Sequence, residues 1–183
     1  MVVVVWQRLD IEGLERLELT PGPAGISVSG TILTLEAGGL LLRHRWDLDP
    51  DWRTRAVSVE LEGPGGRRSL LLERVGPGWR LDGTDRPDLD GAEEPDLSLT
   101  PFCNSLAIRG LGPAPGATRV LDVAFIDGAT LSVTRSRQSY QRLAPYRVLY
   151  RDLGVAQGFE AELDLDPDGM VQHYAGLFTR IAG

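Results

Sequence analysis

Val57-Ser58-Val59-Glu60-Leu61-Glu62 places every apolar side chain at an odd position and every polar one at an even position. Side chains of an extended chain point alternately to opposite faces, so this pattern predicts a strand with one buried and one wet face. The same period returns where Leu121, Val123 and Phe125 alternate with Asp122 and Ala124. It returns again where Phe159, Ala161, Leu163 and Leu165 alternate with Glu160, Glu162 and Asp164. Between such runs lie EGPGG at 62–66, VGPGW at 75–79, GPAPG at 112–116 and DPDG at 166–169, compositions that favour tight turns. No segment carries an apolar stripe at i, i+3, i+4 and i+7 over helix length. The chain therefore predicts an all-β fold: a single highly curled antiparallel sheet forming an open barrel-like domain, with at most short helical turns.

Curling is suggested by Gly25–Leu35 (GISVSGTILTL), which is too apolar for a half-wet sheet. Gly30 sits inside that run, where a glycine marks a bulge or sharp bend. A curled sheet encloses either a packed core or a cavity, and periodicity does not separate the two. Residues 82–96 carry seven carboxylates and one Arg, and predict a long polar loop across the surface. Neither half has a core of its own, so residues 1–183 are expected to form one domain.

At 183 residues and a net charge of −7, the chain is large enough for a substantial core and too acidic to work mainly by neutralising nucleic-acid phosphates. The lone Cys103 suggests a reducing compartment. MVVVVWQRLD lacks the basic n-region and cleavage site of a signal peptide. No run approaches the roughly 18 apolar residues that span a bilayer. The expected location is cytoplasmic, and the sequence does not specify an oligomeric state.

Within that acidic chain, residues 135–151 (RSRQSYQRLAPYRVLYR) form a basic island with five arginines, three tyrosines and no carboxylate. Guanidinium forks match phosphate or sulfate oxygens, and tyrosine offers an aromatic face with a hydroxyl edge. Arg135 and Arg137 share strand parity with Leu131 and Val133, a face that starts apolar and ends cationic. The plain alternative pairs these arginines with the acidic segment 82–96.

PDLSLTPFCNSLAIRGL at 95–111 threads Asn104 and Arg109 through an apolar tract. A buried unpaired polar group costs on the order of 1–3 kcal/mol, so both need partners, either in the loop backbone or in a pocket that they line. DLDPDG at 164–169 matches the first half of a calcium loop, but Ala175 stands where the bidentate Glu belongs, and a Pro-Asp-Gly turn explains the same letters. His44, His173 and Cys103 are too scattered for a metal or Cys–His proposal, and no nucleophile or phosphate-binding motif is present. No enzyme, cofactor or metal is called for.

Taken in order, the segments RWDLDPDWRTRAVSVEL, GWRLDG, DLSLTPFCNSLAIRGL, QSYQRL, YRVLYRD and LDLDPDGMVQHYAGLFTRI resemble the bacterial family described as "putative glycolipid-binding". The matching positions include Asp51-Trp52-Arg53-Thr54-Arg55, Trp79, Thr100, Pro101, Asn104, Leu106, Ile108, Arg109, Leu111, Tyr140, Arg142, Asp168, Gly169 and Tyr174. Departures are Cys103, Ser105, Ala107, Gly110, Gln141 and Ala175. The resemblance implies an open barrel-like sheet similar in shape to envelope lipoprotein carriers. It also implies a non-catalytic carrier for an amphipathic, lipid-like or glycolipid ligand.

The apolar part of such a ligand would lie inside the sheet, with the head group near the basic island. The candidate ligand-binding set is Asn104, Arg109, Arg135, Arg137, Tyr140, Arg142, Tyr146, Tyr150, Trp46 and Trp79. The alternative is a structural or interaction protein with a packed interior and a basic docking surface. Within the set, 95–111 is expected to close one end of the sheet.

Overall fold

The computed structural model describes residues 1–183. The chain runs through β1 (Val2–Arg8), β2 (Gly13–Gly22), β3 (Gly25–Thr34), β4 (Leu40–Leu48), β5 (Thr54–Gly63), β6 (Gly66–Val75), β7 (Gly78–Leu81), β8 (Thr84–Asp85) and β9 (Ala92–Leu97). Then come one helix, α1 (Phe102–Arg109), and β10 (Thr118–Ile126), β11 (Val133–Ala144), β12 (Arg147–Asp152), β13 (Glu160–Leu165), β14 (Val171–Tyr174) and β15 (Phe178–Ala182).

All fifteen strands belong to one sheet. From β1 the order runs outward through successive neighbours to β8 on one side, and through β15 back to β9 on the other. Every pairing is antiparallel except that of β9 with β10. That exception follows from α1: parallel neighbours need a crossover, and the helix is the crossover. The predicted alternation holds in β5 and β13, where Val57, Val59 and Leu61 are buried, as are Ala161, Leu163 and Leu165. It does not hold throughout: in β10 Ala124 is buried beside Leu121 and Val123 while Phe125 is partly exposed, and Phe159 lies exposed just before β13.

The sheet curls until its edges approach without pairing. Side chains tie the seam instead, aiming at backbone carbonyls across it. Arg74, held on its own side by Nε donating to Thr54 O of the neighbouring β5 at 2.7 Å, donates across through Nη2 to Glu93 O at 2.6 Å. Arg68 reaches Ala129 O and Thr130 O, Arg86 reaches Val133 O, and Trp79 Nε1 reaches Ala92 O at 2.9 Å. Residues 82–96 thus correct the expectation of a surface loop. They contain β8, a 3-10 turn at Pro87–Leu89 and all but the last residue of β9, with Leu89, Ala92, Glu94 and Pro95 buried.

Strand registers give the sheet two ends. Residues 9–12, 35–39, 153–159 and 175–177 turn at one, called upper here; residues 49–53, 145–146 and 166–170 turn at the other. Helix α1 starts beside the upper end of β9 and runs down through the interior, with every residue but Arg109 buried. Phe102, Cys103 and Leu106 join the larger apolar cluster, built mainly by β1–β7 with Ala124, Ile126 and Val133, while Ala107, Ile108 and Leu111 join the smaller one of β10–β15. The interior is therefore filled by side chains of the tract 95–111.

Gly30 is neither a bulge nor a bend, because β3 keeps regular register with β2 and β4 through it. The His44 ring lies over it instead, and a Cβ there would stand 2.1 Å from Nε2. His44 Nδ1 accepts the indole N–H of Trp46 at 2.9 Å, so Nε2 carries the proton and donates to Glu15 Oε1 at 2.9 Å.

Candidate functional site

An aromatic cleft of about 270 Å³ opens at the upper end of the sheet. Phe125, Tyr150, Phe159, Tyr174, Leu177 and Phe178 supply its apolar wall; Asp96, Thr100, Asn104 and Asp152 supply its polar groups. Alternation places these rings. Tyr150 on β12, Tyr174 on β14 and Phe178 on β15 take inward positions, and Phe159 enters from the loop before β13. Tyr150 lies within 5.3–6.1 Å of Tyr140, Phe159 and Tyr174, ring centre to centre, in tilted or edge-on contacts.

A hydrogen-bonded chain runs behind this wall. Asn104 Nδ2 donates to Tyr140 Oη at 2.9 Å, and Tyr140 Oη donates to Gln138 Oε1 at 3.0 Å. Gln138 Nε2 then donates to Asp96 Oδ2. Burial, reinforced by the nearby Asp152 charge, pushes the Asp96 carboxyl up to about 6 despite that hydrogen bond. Asp152 fixes the loop over the cleft: Oδ1 accepts the amides of Gly154 at 2.7 Å and Ala156 at 3.1 Å. Its Oδ2 accepts the Tyr150 hydroxyl at 3.2 Å. Burial also raises the phenols of Tyr140, Tyr150 and Tyr174, so all three stay neutral donors. Outside the cleft, Leu9 donates its amide to Leu177 O at 2.8 Å, which joins the cleft to an exposed apolar rim of Leu9, Leu14, Leu33 and Leu35.

The ten predicted residues do not converge on one site. Asn104 and Tyr150 line the aromatic cleft, and Tyr140 backs it. Trp46 is buried edge-on against Phe102, and Trp79 is buried under the Arg74 guanidinium, so neither borders a cleft. Arg135 and Arg137 keep the parity of Val133, but their guanidinium groups stand in solvent. Both pair with Asp122 of β10, and this partner, not the segment 82–96, corrects the expected pairing.

Arg109, Arg142 and Tyr146 lie together at the lower end. Arg109 stacks on Trp52 at 3.4 Å and donates to Asp168 O at 2.8 Å. The Arg119 guanidinium lies against Gly110, in the space that a side chain at 110 would need. At 166–170 the Asp166 carboxylate accepts the amides of Asp168 and Met170 and pairs with Arg180 at 2.8 Å, the arrangement of a turn.

The family model described as "Putative glycolipid-binding" matches residues 3–180. The chain belongs to that family. It is similar to the crystal structure of a DUF1089 family protein from Pseudomonas aeruginosa, with 30% identity over 91% of this chain and 92% of that one, and a TM-score of 0.81. The di-domain ARO/CYC StfQ from the steffimycin biosynthetic pathway aligns over 97% of this chain and 73% of that one, but at 9% identity and a TM-score of 0.21 it is too distant to bear on fold or function. No curated protein matches the chain. No helix is long and apolar enough to cross a membrane.

Asp96, Asp152, Phe125, Phe159 and Phe178 escaped the sequence reading. Asp96 was hidden in an acidic run, and the aromatics looked like ordinary core positions. Asn104 and Tyr150 are the predicted residues that line the cleft, and the family-matching Tyr174 stands beside them.

Proposed function

We propose that the protein is a non-catalytic binding protein for an amphipathic ligand whose polar end, a sugar or similar polyol, sits in the aromatic cleft. The observation that carries this is the lining: an aromatic wall with a few convergent polar groups, the usual make-up of a small-molecule site. Aromatic faces stack on the apolar side of a sugar ring, while carboxylates and Asn104 hydrogen-bond its hydroxyls. An alkyl chain would continue past Leu177 onto the rim at Leu9 and Leu35. The family description favours the same class of ligand. A non-catalytic role fits the carboxylates, since both Asp152 oxygens and Asp96 Oδ2 are already engaged within the protein.

Calorimetric titration with octyl glucoside and octyl sulfate tests this. Octyl glucoside should bind better than octyl sulfate, and Phe159→Ala, at a partly exposed position, should weaken it at least tenfold without unfolding the chain. Preference for the sulfate, or an unchanged affinity in the variant, would refute the assignment.

A further inference from the structure

Four of the five arginines of the basic island are paired with carboxylates. Arg135 and Arg137 share Asp122. Arg147 pairs with Asp164 at 2.9 Å, and Arg151 with Glu160 at 3.1 Å, both across the β12–β13 ladder. Arg142 differs on every count. It is the one arginine among the buried residues, at 8% exposed, and no carboxylate lies within ion-pair distance of it. The one hydrogen bond of its guanidinium runs from Nη1 to Pro145 O at 3.0 Å, and its buried Nε has no partner. Burial lowers its pKa, yet a guanidinium stays charged at any physiological pH. A buried, unpaired cation is strongly unfavourable, so this arrangement calls for a counter-charge.

The space for one is present. Arg142 lines a lower-end cleft of about 280 Å³ with Arg109, Tyr146, Ile108, Leu111 and Leu165. Arg109 also lacks a carboxylate partner, and stacking on Trp52 holds its guanidinium plane. The acids nearby do not fill the role. Asp166 is committed to Arg180 and to its own turn, and Asp168 offers Arg109 its carbonyl rather than its carboxylate. The helix carbonyls nearby are also occupied, since Ala107 O accepts Arg119 and Ile108 O accepts the amides that close α1.

We propose that this cleft is a binding site for a phosphate or carboxylate group, gripped by Arg142 and Arg109 with the Tyr146 hydroxyl at its edge. Two guanidinium forks are the donor set that planar or tetrahedral oxyanions take, and the apolar wall would strengthen each charge-assisted bond. The site is separate from the aromatic cleft, at the opposite end of α1.

Inorganic phosphate, acetate, hexyl phosphate and hexanoate should be titrated calorimetrically against the full chain at constant ionic strength, with chloride as the control anion. The variant is Arg142→Met, which keeps the volume and removes the charge. At least one oxyanion should bind saturably, and the variant should lose more than tenfold in affinity while melting no lower than the parent. If inorganic phosphate or acetate binds as well as its hexyl counterpart, the ligand is a free anion; if only the alkylated probes bind, it is a lipid head group. Either supports the site. If no probe exceeds chloride, or Arg142→Met binds as the parent does, the site does not exist. A variant that melts well below the parent would equally overturn the proposal, because the arginine would then be satisfied within the fold.

Discussion

Replacing Asp96 by Asn should stabilise the protein, and only above acid pH. In the unfolded chain this carboxyl titrates near 3.8; in the cleft, burial and the Asp152 charge raise it to about 6. A carboxyl whose folded value is raised binds its proton more tightly when folded. Its favourable contribution is complete below the unfolded value and is lost as pH rises through the folded one. The window is therefore about pH 4 to 6. A shift of about 2 units corresponds to roughly 3 kcal/mol at about 1.4 kcal/mol per unit. Asn keeps the carbonyl that accepts Gln138 Nε2 and is never charged. Urea denaturation of both proteins at half-unit steps from pH 4 to 8 reads the effect directly. The stability of Asp96→Asn relative to wild type should climb by about 3 kcal/mol across the window and stay level beyond pH 7. A pH-independent difference would refute the argument, and would mean that water entering the cleft solvates the carboxylate as well as bulk solvent does.

Two further predictions concern other parts of the sheet. Gly30→Ala drives a methyl group to 2.1 Å from His44 Nε2 and should destabilise by about 3 kcal/mol or more, with Gly30→Ala/His44→Ala recovering part of the loss in the same denaturation assay. Asp122 is the opposite case to Asp96: hydrogen bonds from Arg137 and Arg135 hold its carboxyl down at about 2, so its contribution is present above about pH 4 and lost as pH falls toward 2. Because both arginines are largely exposed, that contribution should be about 1 kcal/mol, weaken in 1 M salt, and vanish in Asp122→Asn.

Half-wet strands announce themselves, and so the sheet was legible where one face is solvated, as at Val57–Glu62 and Glu160–Leu165. What hid was whatever is buried on every side. Phe102–Ile108 shows no amphipathic stripe because α1 touches apolar clusters on both flanks, and a helix buried all round carries no period of 3.6. The parallel pairing of β9 followed from that missed helix. Charge misled for a related reason. The carboxylates of 82–96 looked like a solvated loop, but Glu94 lies inside the seam, accepting the Thr54 amide and the Arg74 guanidinium. The basic island looked like one site, yet cross-strand geometry sends Arg135 and Arg137 outward and Arg142 inward on the same strand. Strand parity separates 137 from 142, but only the neighbouring strands reveal which arginine lacks a carboxylate.

Since α1 fills the interior, the alkyl chain of the proposed ligand would have no channel through the sheet and would lie on the rim at Leu9, Leu33 and Leu35. Full burial of a methylene yields about 0.8 kcal/mol, and a chain with one side in water should gain about half of that. From hexyl to decyl glucoside, four methylenes then add about 1.6 kcal/mol, or roughly fifteenfold in affinity, against about 3.2 kcal/mol and two hundredfold for an engulfed chain. Calorimetry across the series distinguishes the two, and amide exchange of Phe102–Ile108 in the saturated complex gives an independent check. Protected helix amides with a shallow slope are expected. A full slope with those amides freed would mean that the ligand displaces α1, making this buried tract a plug released on binding.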